Sequence, residues 1–406
     1  MRTIGEFMDK DLERFVEYCK IDTQSNDTSD ATPSEAKELN LTKLLYKQLK
    51  EMGLEAEIDQ YGRLYSKLPG EKGLDVIGLN SHVDTALEVS GKNVKPQLIS
   101  SYEGGVIKLN DEYSMSPSDF PRLKNYIGSD LIVTSGDTLL GGDDKAGVSI
   151  IMEVISYYVS HPEEKHHPIA ILFTPDEEIG RGPEHFDAKK FGADYAYTVD
   201  GADVDMIEDE NFNAAHADIV IEGVSIHPGE AKGKMINALR LCNEFDASLD
   251  PDAKPEYTSG REGFNHLMAM NGTAEKASMH YIIRNHDMDL LQKQKDEFVS
   301  IKHRLEAKYP KAKINLDIVD DYKNMHEVFL KDPRAVEHAD EVFASLGITA
   351  RHEPIRGGTD GATFSFNGCP TPNLGTGSYN HHGRFEYLSV KDYRKMIEIV
   401  KAIVKA

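Results

Sequence analysis

The 406-residue chain has few cysteines for its length. Its three cysteines, Cys19, Cys242 and Cys369, are too few and too scattered for a disulfide framework or a four-thiolate zinc site. Any metal ion would therefore be held by histidine and carboxylate side chains. So small a number of cysteines is also typical of a protein of the cytoplasm, and we expect this one to act there.

Basic residues are scarce relative to acidic ones: 46 lysines and arginines face 69 aspartates and glutamates, which gives a formal net charge of -23. A field of that sign repels phosphate backbones and anionic lipid surfaces, so we expect no nucleic-acid partner and no membrane partner. Solubility is the simplest interpretation of this charge, and the alternative is a site that concentrates carboxylates around cations.

Long apolar runs are also missing. No apolar run approaches the length of about 20 residues that a membrane span needs, and residues 1–11 alternate charged with apolar side chains instead of forming the apolar core of a secretory signal. Neither GxxxxGK[ST] nor GxGxxG occurs, so a kinase or dehydrogenase built on those phosphate-binding turns is excluded.

Short apolar runs alternate with helical patterns in the first half of the chain. This alternation predicts an α/β domain whose mixed, largely parallel sheet is sandwiched by helices. The predicted strands are 55–59, 75–80 and 169–174, and the predicted helices are 11–21, 35–52, 147–160, 332–346 and 390–404.

From about residue 217 the pattern changes to that of a smaller α+β unit. Its strands are predicted at 219–226, 276–284 and 313–319, and its helices at 235–245 and 290–309. We therefore predict one α/β domain, residues 1–208 and 322–406, that is interrupted by an inserted α+β domain at residues 209–321.

Ser81, His82, Val83 and Asp84 come directly after the apolar strand predicted at 75–80. Residues just beyond the carboxyl end of a strand line the ligand crevice of an open α/β sheet. The alternation of side chains in extended backbone would place His82 and Asp84 on the same side. A nearby carboxylate can orient a histidine that binds metal. For this motif alone, the alternative is a structural histidine with satisfied hydrogen bonds.

Asp143 and Asp144 open a predicted helix and have glycines before and after them. Carboxylates stabilise helix N-termini, so capping is the simple interpretation. The flanking glycines favour a second one, because they permit the close approach that a carboxylate bridging two cations needs.

Asp176, Glu177 and Glu178 follow the apolar strand predicted at 169–174. Three consecutive acids beside a buried strand repel one another unless protons or cations compensate their charge. Adjacent glutamates can divide the chemistry, with one binding metal and the other acting on the substrate water as general base. The alternative is a solvated acidic turn.

Two weaker candidates complete the set: Asp200 at the end of a short apolar run and a histidine in the stretch 379–383. Aspartate followed by glycine is first of all a turn signal. Taken together, however, these histidines and carboxylates at strand ends and in loops suit zinc, cobalt or manganese.

Motifs spread over the whole chain resemble those of the peptidase T family, the tripeptide aminopeptidases of the di-zinc metallopeptidase superfamily that also contains aminoacylase, carboxypeptidase G and succinyl-diaminopimelate desuccinylase. The motifs are KIDTQS (20–25), TPS (32–34), SHVDT (81–85), LLGGDDKAG (139–147), FTPDEEIG (173–180), TVDG (198–201), HPGEAKGKMINA (227–238), IIRNHD (282–287), GGTDGA (357–362) and YNHHG (379–383).

The resemblance implies two Zn²⁺ per subunit, or Co²⁺ or Mn²⁺ in their place. The implied metal ligands are His82, Asp143, Glu178, Asp200 and His382, with Asp143 bridging the two ions. It also implies that Glu177 is the general base and that Asp84 orients a ligand.

The sequence departs from the family pattern at two positions. The family pattern has an apolar or aromatic residue before the ligand histidine, but His381 stands at that position here. Of the two adjacent histidines, His382 is therefore assigned as the ligand because it aligns with the glycine that follows. The family commonly has alanine where Gly142 stands, and the more permissive glycine should be tolerated. Asp144 is the alternative to Asp143 as the bridge.

The resemblance also implies a role for the inserted domain. Similar proteins use this domain as a lid, and two subunits often pair through it to form a homodimer. His227 is implied to stabilise the developing oxyanion, from the same or the partner subunit. Arg284 and Arg356 are candidates to bind the terminal carboxylate of a peptide, since guanidinium groups bind carboxylates bidentately. An ordinary surface salt bridge is the alternative for both arginines.

The predicted function is that of a metal-dependent aminopeptidase that releases the N-terminal residue of tripeptides by attack of a di-metal-bound water, with small peptides as substrates. A dipeptidase or an N-acyl amino acid amidohydrolase with the same di-metal site is the alternative. A non-catalytic metal-binding or scaffold protein would lack a ligand or the base, and neither is missing here.

Overall fold

The structure, a computed structural model, describes residues 9–406. Most of the N-terminal stretch interpreted above as lacking an apolar signal therefore lies outside the described residues. The described chain forms two compact units. The first contains the residues up to Asp209, Glu327–Glu353 and Thr359–Ala406, and the second contains Glu210–His326 and Pro354–Gly358.

Most strands are short. Those of residues 9–406 are β1 (Glu55–Ile58), β2 (Leu64–Leu68), β3 (Ile77–His82), β4 (Gln97–Ile99), β5 (Ile107–Lys108), β6 (Ser114–Met115), β7 (Leu131–Val133), β8 (Ile169–Thr174), β9 (Tyr195–Gly201), β10 (Met206–Glu208), β11 (Asn213–Glu222), β12 (Phe264–Gly272), β13 (Lys276–Asn285), β14 (Lys313–Tyr322), β15 (Arg351–His352), β16 (Asn373–Gly375), β17 (Ser378–Tyr379) and β18 (Tyr387–Ser389).

The helices alternate with these strands. The α-helices of the same residues are α1 (Lys10–Cys19), α2 (Leu39–Glu51), α3 (Gly142–Ser160), α4 (Ala188–Phe191), α5 (Ala238–Asp246), α6 (Met288–Lys308), α7 (His326–Phe329), α8 (Arg334–Ser345), α9 (Asp360–Phe366) and α10 (Val390–Val404). None of the helices found between residues 9 and 406 combines the length and the apolar character needed to cross a lipid bilayer.

The first unit is built on an eight-stranded sheet of order β1-β2-β8-β3-β9-β16-β10-β15. Its central strands β8, β3, β9 and β16 run parallel, whereas β1, β2 and β10 pair antiparallel with neighbours. Every residue of β3 and β8 is buried, as expected for strands covered on both faces.

Alternate residues of β8 belong to two different cores. Ile169, Ile171 and Phe173 lie in the large core that includes residues of α1, α2, α3, α8 and α10. Ala170 and Leu172 lie in a smaller core with Phe191 of α4 and Phe364 of α9. Helices thus cover both faces of the sheet, and the prediction of a mixed, largely parallel sheet sandwiched by helices is confirmed.

A second, four-stranded sheet of order β17-β18-β7-β4 belongs to the same unit and is not predicted from the sequence. Its strands are only two or three residues long. Tyr379 of β17 and Tyr387 of β18 lie in one core with Tyr126. Because β17 and β18 pair antiparallel, this sheet fixes the turn between them, residues 380–386.

The second unit has the α+β character predicted for this part of the chain. Its antiparallel sheet has the order β12-β13-β11-β14. Alternate residues of β11, such as Ile219 and Ile221, pack in one core with Phe245 of α5 and Phe298 of α6. The lid and dimerisation roles given to residues 209–321 stay predictions.

Helix α3 lies very close to strand β9 at Gly147: a Cβ atom built there would lie 1.8 Å from the carbonyl oxygen of Val199. We expect Gly147→Ala to lower the free energy of unfolding by about 3 kcal/mol or more, because the methyl group forces the helix away from the sheet. Urea unfolding followed by circular dichroism measures the change. Gly105→Ala is the matched control, since a Cβ there meets open space. Equal stabilities of the two variants would contradict this packing.

Candidate metal centre

Five of the predicted site residues lie at the carboxyl edge of the central sheet or face it. His82 is the last residue of β3, Asp200 lies near the end of β9, and Glu178 follows β8 in the 3₁₀ turn Glu177–Ile179. Adjacent parallel strands end at the same edge of a sheet, which is the usual ligand position of such folds. Asp143 stands at the start of α3, and His382 lies in the turn between β17 and β18.

These side chains form two groups that share Asp143. In the first, Nε2 of His82 lies 3.0 Å from Oδ1 of Asp143 and 3.4 Å from Oδ1 of Asp200. In the second, Nε2 of His382 lies 3.3 Å from Oδ2 of Asp143 and 3.1 Å from Oε2 of Glu178. The two oxygens of one carboxylate therefore face two different groups, each with the donor set of a divalent metal site.

The charge of the cluster also fits cations. In residues 9–406, the ion pairs that Asp143, Glu178 and Asp200 form are with histidines. Burial raises the pKa of Glu178 to about 7 and also raises the pKa of Asp200. The buried Oε1 of Glu178 has no hydrogen-bond partner among the described residues. Carboxylates gathered this closely need positive charge, and the histidine and carboxylate donors are those that zinc accepts.

Asp143 differs from its neighbours in its pKa. Burial by itself would raise that pKa, but the surrounding His381, His382 and His82 hold it well below its usual range. Conversely, the carboxylates of Asp143 and Glu178 raise the pKa of His382 to about 12. The three histidines therefore favour the ionised form of the Asp143 carboxyl group.

Asp84 is fully buried and has a wider role than the spacing suggested. Its Oδ1 lies 3.3 Å from Nδ1 of His82. The same carboxylate accepts the backbone N–H groups of Glu177 and Glu178, each at 3.1 Å. Asp84 therefore fixes the turn that carries the predicted base as well as lying beside the predicted ligand.

Glu177 stands at the start of that turn with its backbone held by Asp84. Burial raises the pKa of Glu177 well above its ordinary value, although the nearby His82 opposes the shift. A carboxyl group with raised proton affinity beside a group of candidate metal ligands suits general acid–base chemistry.

Asp144, the alternative bridge, belongs to neither group. Its Oδ1 accepts the N–H of Gly147 at 3.0 Å, and its Oδ2 accepts the hydroxyl of Ser81. The residue is fully buried, and its hydrogen bonds link the start of α3 to β3.

Two neighbours of the cluster, Glu88 and Glu386, were not identified from the sequence, and a third, His381, appeared there only as a departure from the family pattern. Nδ1 of His381 lies 3.3 Å from Oδ2 of Asp143, and Oε1 of Glu88 lies 3.3 Å from Nδ1 of His382. Glu386 binds the backbone around residue 141. The adjacent histidines of the YNHHG motif were a visible signal for His381, whereas Glu88 and Glu386 stand in no pattern that indicates a ligand.

The other predicted site residues lie in the second unit. His227 begins a 3₁₀ turn, and its Nδ1 accepts the N–H of Gly229 at 3.2 Å. Arg284 donates to the carbonyls of Ala215 and Ile283, both at 3.0 Å.

Arg356 makes more bonds within this unit. It donates to the carbonyls of Gly260 and Glu262 at 2.7 and 2.9 Å and to the hydroxyl of Thr258 at 2.9 Å. The substrate contacts assigned to His227, Arg284 and Arg356 stay predictions.

Comparisons with known proteins agree on one family. The model of peptidase family M20/M25/M40 matches residues 141–406. The chain is 45% identical over 398 residues to "Peptidase T" of Desulfitobacterium hafniense (strain Y51), with 97% of each chain covered. The crystal structure of aminopeptidase PepT from Bacillus cereus has a TM-score of 0.77 at 21% identity, with 97% of both chains covered.

A Bacillus subtilis protein, YXEP, described as a dinuclear metal binding peptidase from the M20 family, matches with a TM-score of 0.64 at 14% identity, over 97% of this chain and 96% of that one. At these identities the two solved structures show a shared fold.

The hydroxyl of the neighbouring Ser378 leaves no room for a side chain at Gly142. A Cβ built at Gly142 would lie 2.2 Å from Oγ of Ser378, and this buried hydroxyl has no hydrogen-bond partner among the described residues. We expect Gly142→Ala to destabilise the protein by about 1–3 kcal/mol through overpacking. The double variant with Ser378→Ala should recover at least half of that loss in urea unfolding, with Ser378→Ala alone as control. No recovery would mean that the glycine is needed for another reason.

Proposed function

Because this chain belongs to peptidase family M20/M25/M40, a family of metal-dependent peptidases, we propose that it is an aminopeptidase that releases the N-terminal residue from tripeptides. The relative named Peptidase T, 45% identical over almost the whole chain, supports this activity. The observation that carries the proposal is the position of Asp143, whose two oxygens face two separate groups of ligand side chains.

The proposed cofactor is two Zn²⁺ per subunit, with Co²⁺ or Mn²⁺ as alternatives that the same donors accept. His82 and Asp200 would hold one ion, Glu178 and His382 the other, and Asp143 would bridge them. When bound, such ions lower the pKa of a water molecule towards neutrality and polarise the peptide carbonyl group.

Glu177 moves the proton in this mechanism. It takes a proton from the water that attacks the carbonyl carbon, and a new carbon–oxygen bond forms. It then delivers that proton to the departing nitrogen as the peptide carbon–nitrogen bond breaks. Two features support this assignment: Asp84 holds the backbone of Glu177, and burial raises the pKa of the Glu177 carboxyl group, which increases its affinity for a proton.

His227 would donate a hydrogen bond to the developing oxyanion. Its Nδ1 accepts the N–H of Gly229, and in the neutral ring the proton is therefore on Nε2, which is the donor that this role needs. Arg284 and Arg356 are the proposed partners of the terminal carboxylate. Arg356 makes three hydrogen bonds within its own unit, and a guanidinium group has five N–H donors.

The proposal includes small peptides as substrates, action in the cytoplasm and a homodimer through residues 209–321. The cytoplasmic location is supported by the cysteines, since Cys19, Cys242 and Cys369 are all free and buried.

A substrate panel tests the activity against its alternative, a dipeptidase or an N-acyl amino acid amidohydrolase with the same metal site. Di-, tri- and tetrapeptides with free and blocked amines are compared by kcat/KM, with chelator-treated protein as control. We expect free tripeptides to be cleaved at least about tenfold better than the others, a difference of about 1.4 kcal/mol in transition-state binding. Faster cleavage of N-acyl amino acids than of any free tripeptide would refute the proposed tripeptide aminopeptidase activity.

Glu177→Gln tests the base. The variant keeps the shape of the side chain but cannot accept the proton, so we expect kcat to fall by about 10²–10⁴ with metal content unchanged. Metal analysis and steady-state kinetics measure both quantities. The matched variant Glu178→Gln changes a proposed ligand and should instead lose metal. Full activity of Glu177→Gln, with its metal content verified, would refute the assignment.

A further inference from the structure

Glu386 is a buried carboxylate that the proposed mechanism does not use. It lies four residues beyond His382, and only 1% of its surface is exposed. Its Oε2 accepts the N–H groups of Leu140 and Gly141, both at 2.8 Å, and its Oε1 accepts the N–H of Asp143 at 2.9 Å. One side chain therefore binds three backbone donors of the turn that leads into α3.

The geometry of that turn explains why a carboxylate stands there. The first N–H groups of a helix have no partner within it, and the positive end of the helix dipole favours an anion. Gly141 has a left-handed backbone with a φ of 78°, which turns its N–H towards the same point as its neighbours'. At Gly142 a Cβ would lie 3.1 Å from Oε1 of Glu386, so the side chain and the turn are in close contact.

Hydrogen bonds therefore fix the backbone at Asp143 and at the residue that follows it. Glu386 holds the N–H of Asp143, and the next residue, Asp144, is held through its side chain by Ser81 and Gly147. Between these two anchors, Asp143 directs Oδ1 towards His82 and Oδ2 towards His382.

We propose that Glu386 is a positioning residue for metal binding, one that sets the backbone of Asp143 so that its two oxygens reach both groups of ligands. This inference rests on the proposed function for the identity of the metal ligands. It also links the two ends of the site, because Glu386 and His382 belong to one short segment.

Glu386→Gln tests the inference. The substitution replaces one acceptor oxygen by an NH₂ group, which must face at least one of the three backbone N–H donors and cannot accept a hydrogen bond from it. Competition with a chromophoric chelator measures the Zn²⁺ affinity of the metal-free protein, which we expect to fall about 10- to 100-fold. The melting temperature without metal should stay within about 5 °C of that of the unmodified protein. Excess Zn²⁺ should restore most of the tripeptide hydrolysis, which loss of folding would not allow.

Asp392→Asn is the matched control, because Asp392 is a buried carboxylate nearby that accepts a hydrogen bond from the hydroxyl of Tyr379 at 2.9 Å. It should bind Zn²⁺ like the unmodified protein. If Glu386→Gln does not fold, Glu386→Asp keeps the charge but withdraws it by one methylene group, and it should also weaken Zn²⁺ binding.

Unchanged affinity in the folded Glu386 variant, or an equal loss in the Asp392 variant, would overturn the inference. If Zn²⁺ binding depends on Glu386 but no peptide of the panel is cleaved, the proposed function fails while this inference stands.

Discussion

Positive charge is the constraint on which this site depends. Asp143, Glu178 and Asp200 meet at the edge of a buried sheet, and in the described chain the basic side chains that lie within salt-bridge distance of them are histidines. Burial penalises ionised carboxylates strongly unless cations or protons compensate them. The fold nevertheless holds these groups together, which is understandable if divalent cations supply the compensation.

The side chains of the cluster are held chiefly through backbone groups around them. Asp84 binds the N–H groups of the turn at Glu177 and Glu178, and Glu386 does the same for the turn at Asp143. Both are buried carboxylates that accept N–H donors where regular hydrogen bonding ends. The same kind of interaction thus positions two of the three acidic segments of the site, and a rigid first set of ligands generally needs such support.

The sequence predicted those parts of the molecule that are regular or carry their signal locally. Strand β8 and helix α10 have the bounds predicted, because an unbroken apolar run and an amphipathic stripe are strong patterns. Strand β3, in contrast, runs to His82, so that the histidine lies in the strand and not beyond it. The apolar run ends at Leu79, three residues before the strand itself ends.

What the sequence did not reveal depends on distant contacts. The sheet of β4, β7, β17 and β18 consists of strands of two or three residues, too short to show a period, and its pairing of β7 with β18 joins residues 131–133 to residues 387–389. Glu386 was missed for the same reason, since its partners at Leu140 and Asp143 lie 246 and 243 residues away. The family resemblance implied the residues that meet in this cluster, but it held no information about what fixes them in place.

The order of the proposed ligands along the chain has a consequence for how the protein is made. The first group needs residues 82, 143 and 200, whereas the second also needs His382, which β17 and β18 hold in place. During synthesis a ribosome must therefore translate the whole inserted unit before the second group can exist. Glu386, which holds the N–H of Asp143, is translated later still, so neither group can take its final geometry until the segment that follows the inserted unit has been made.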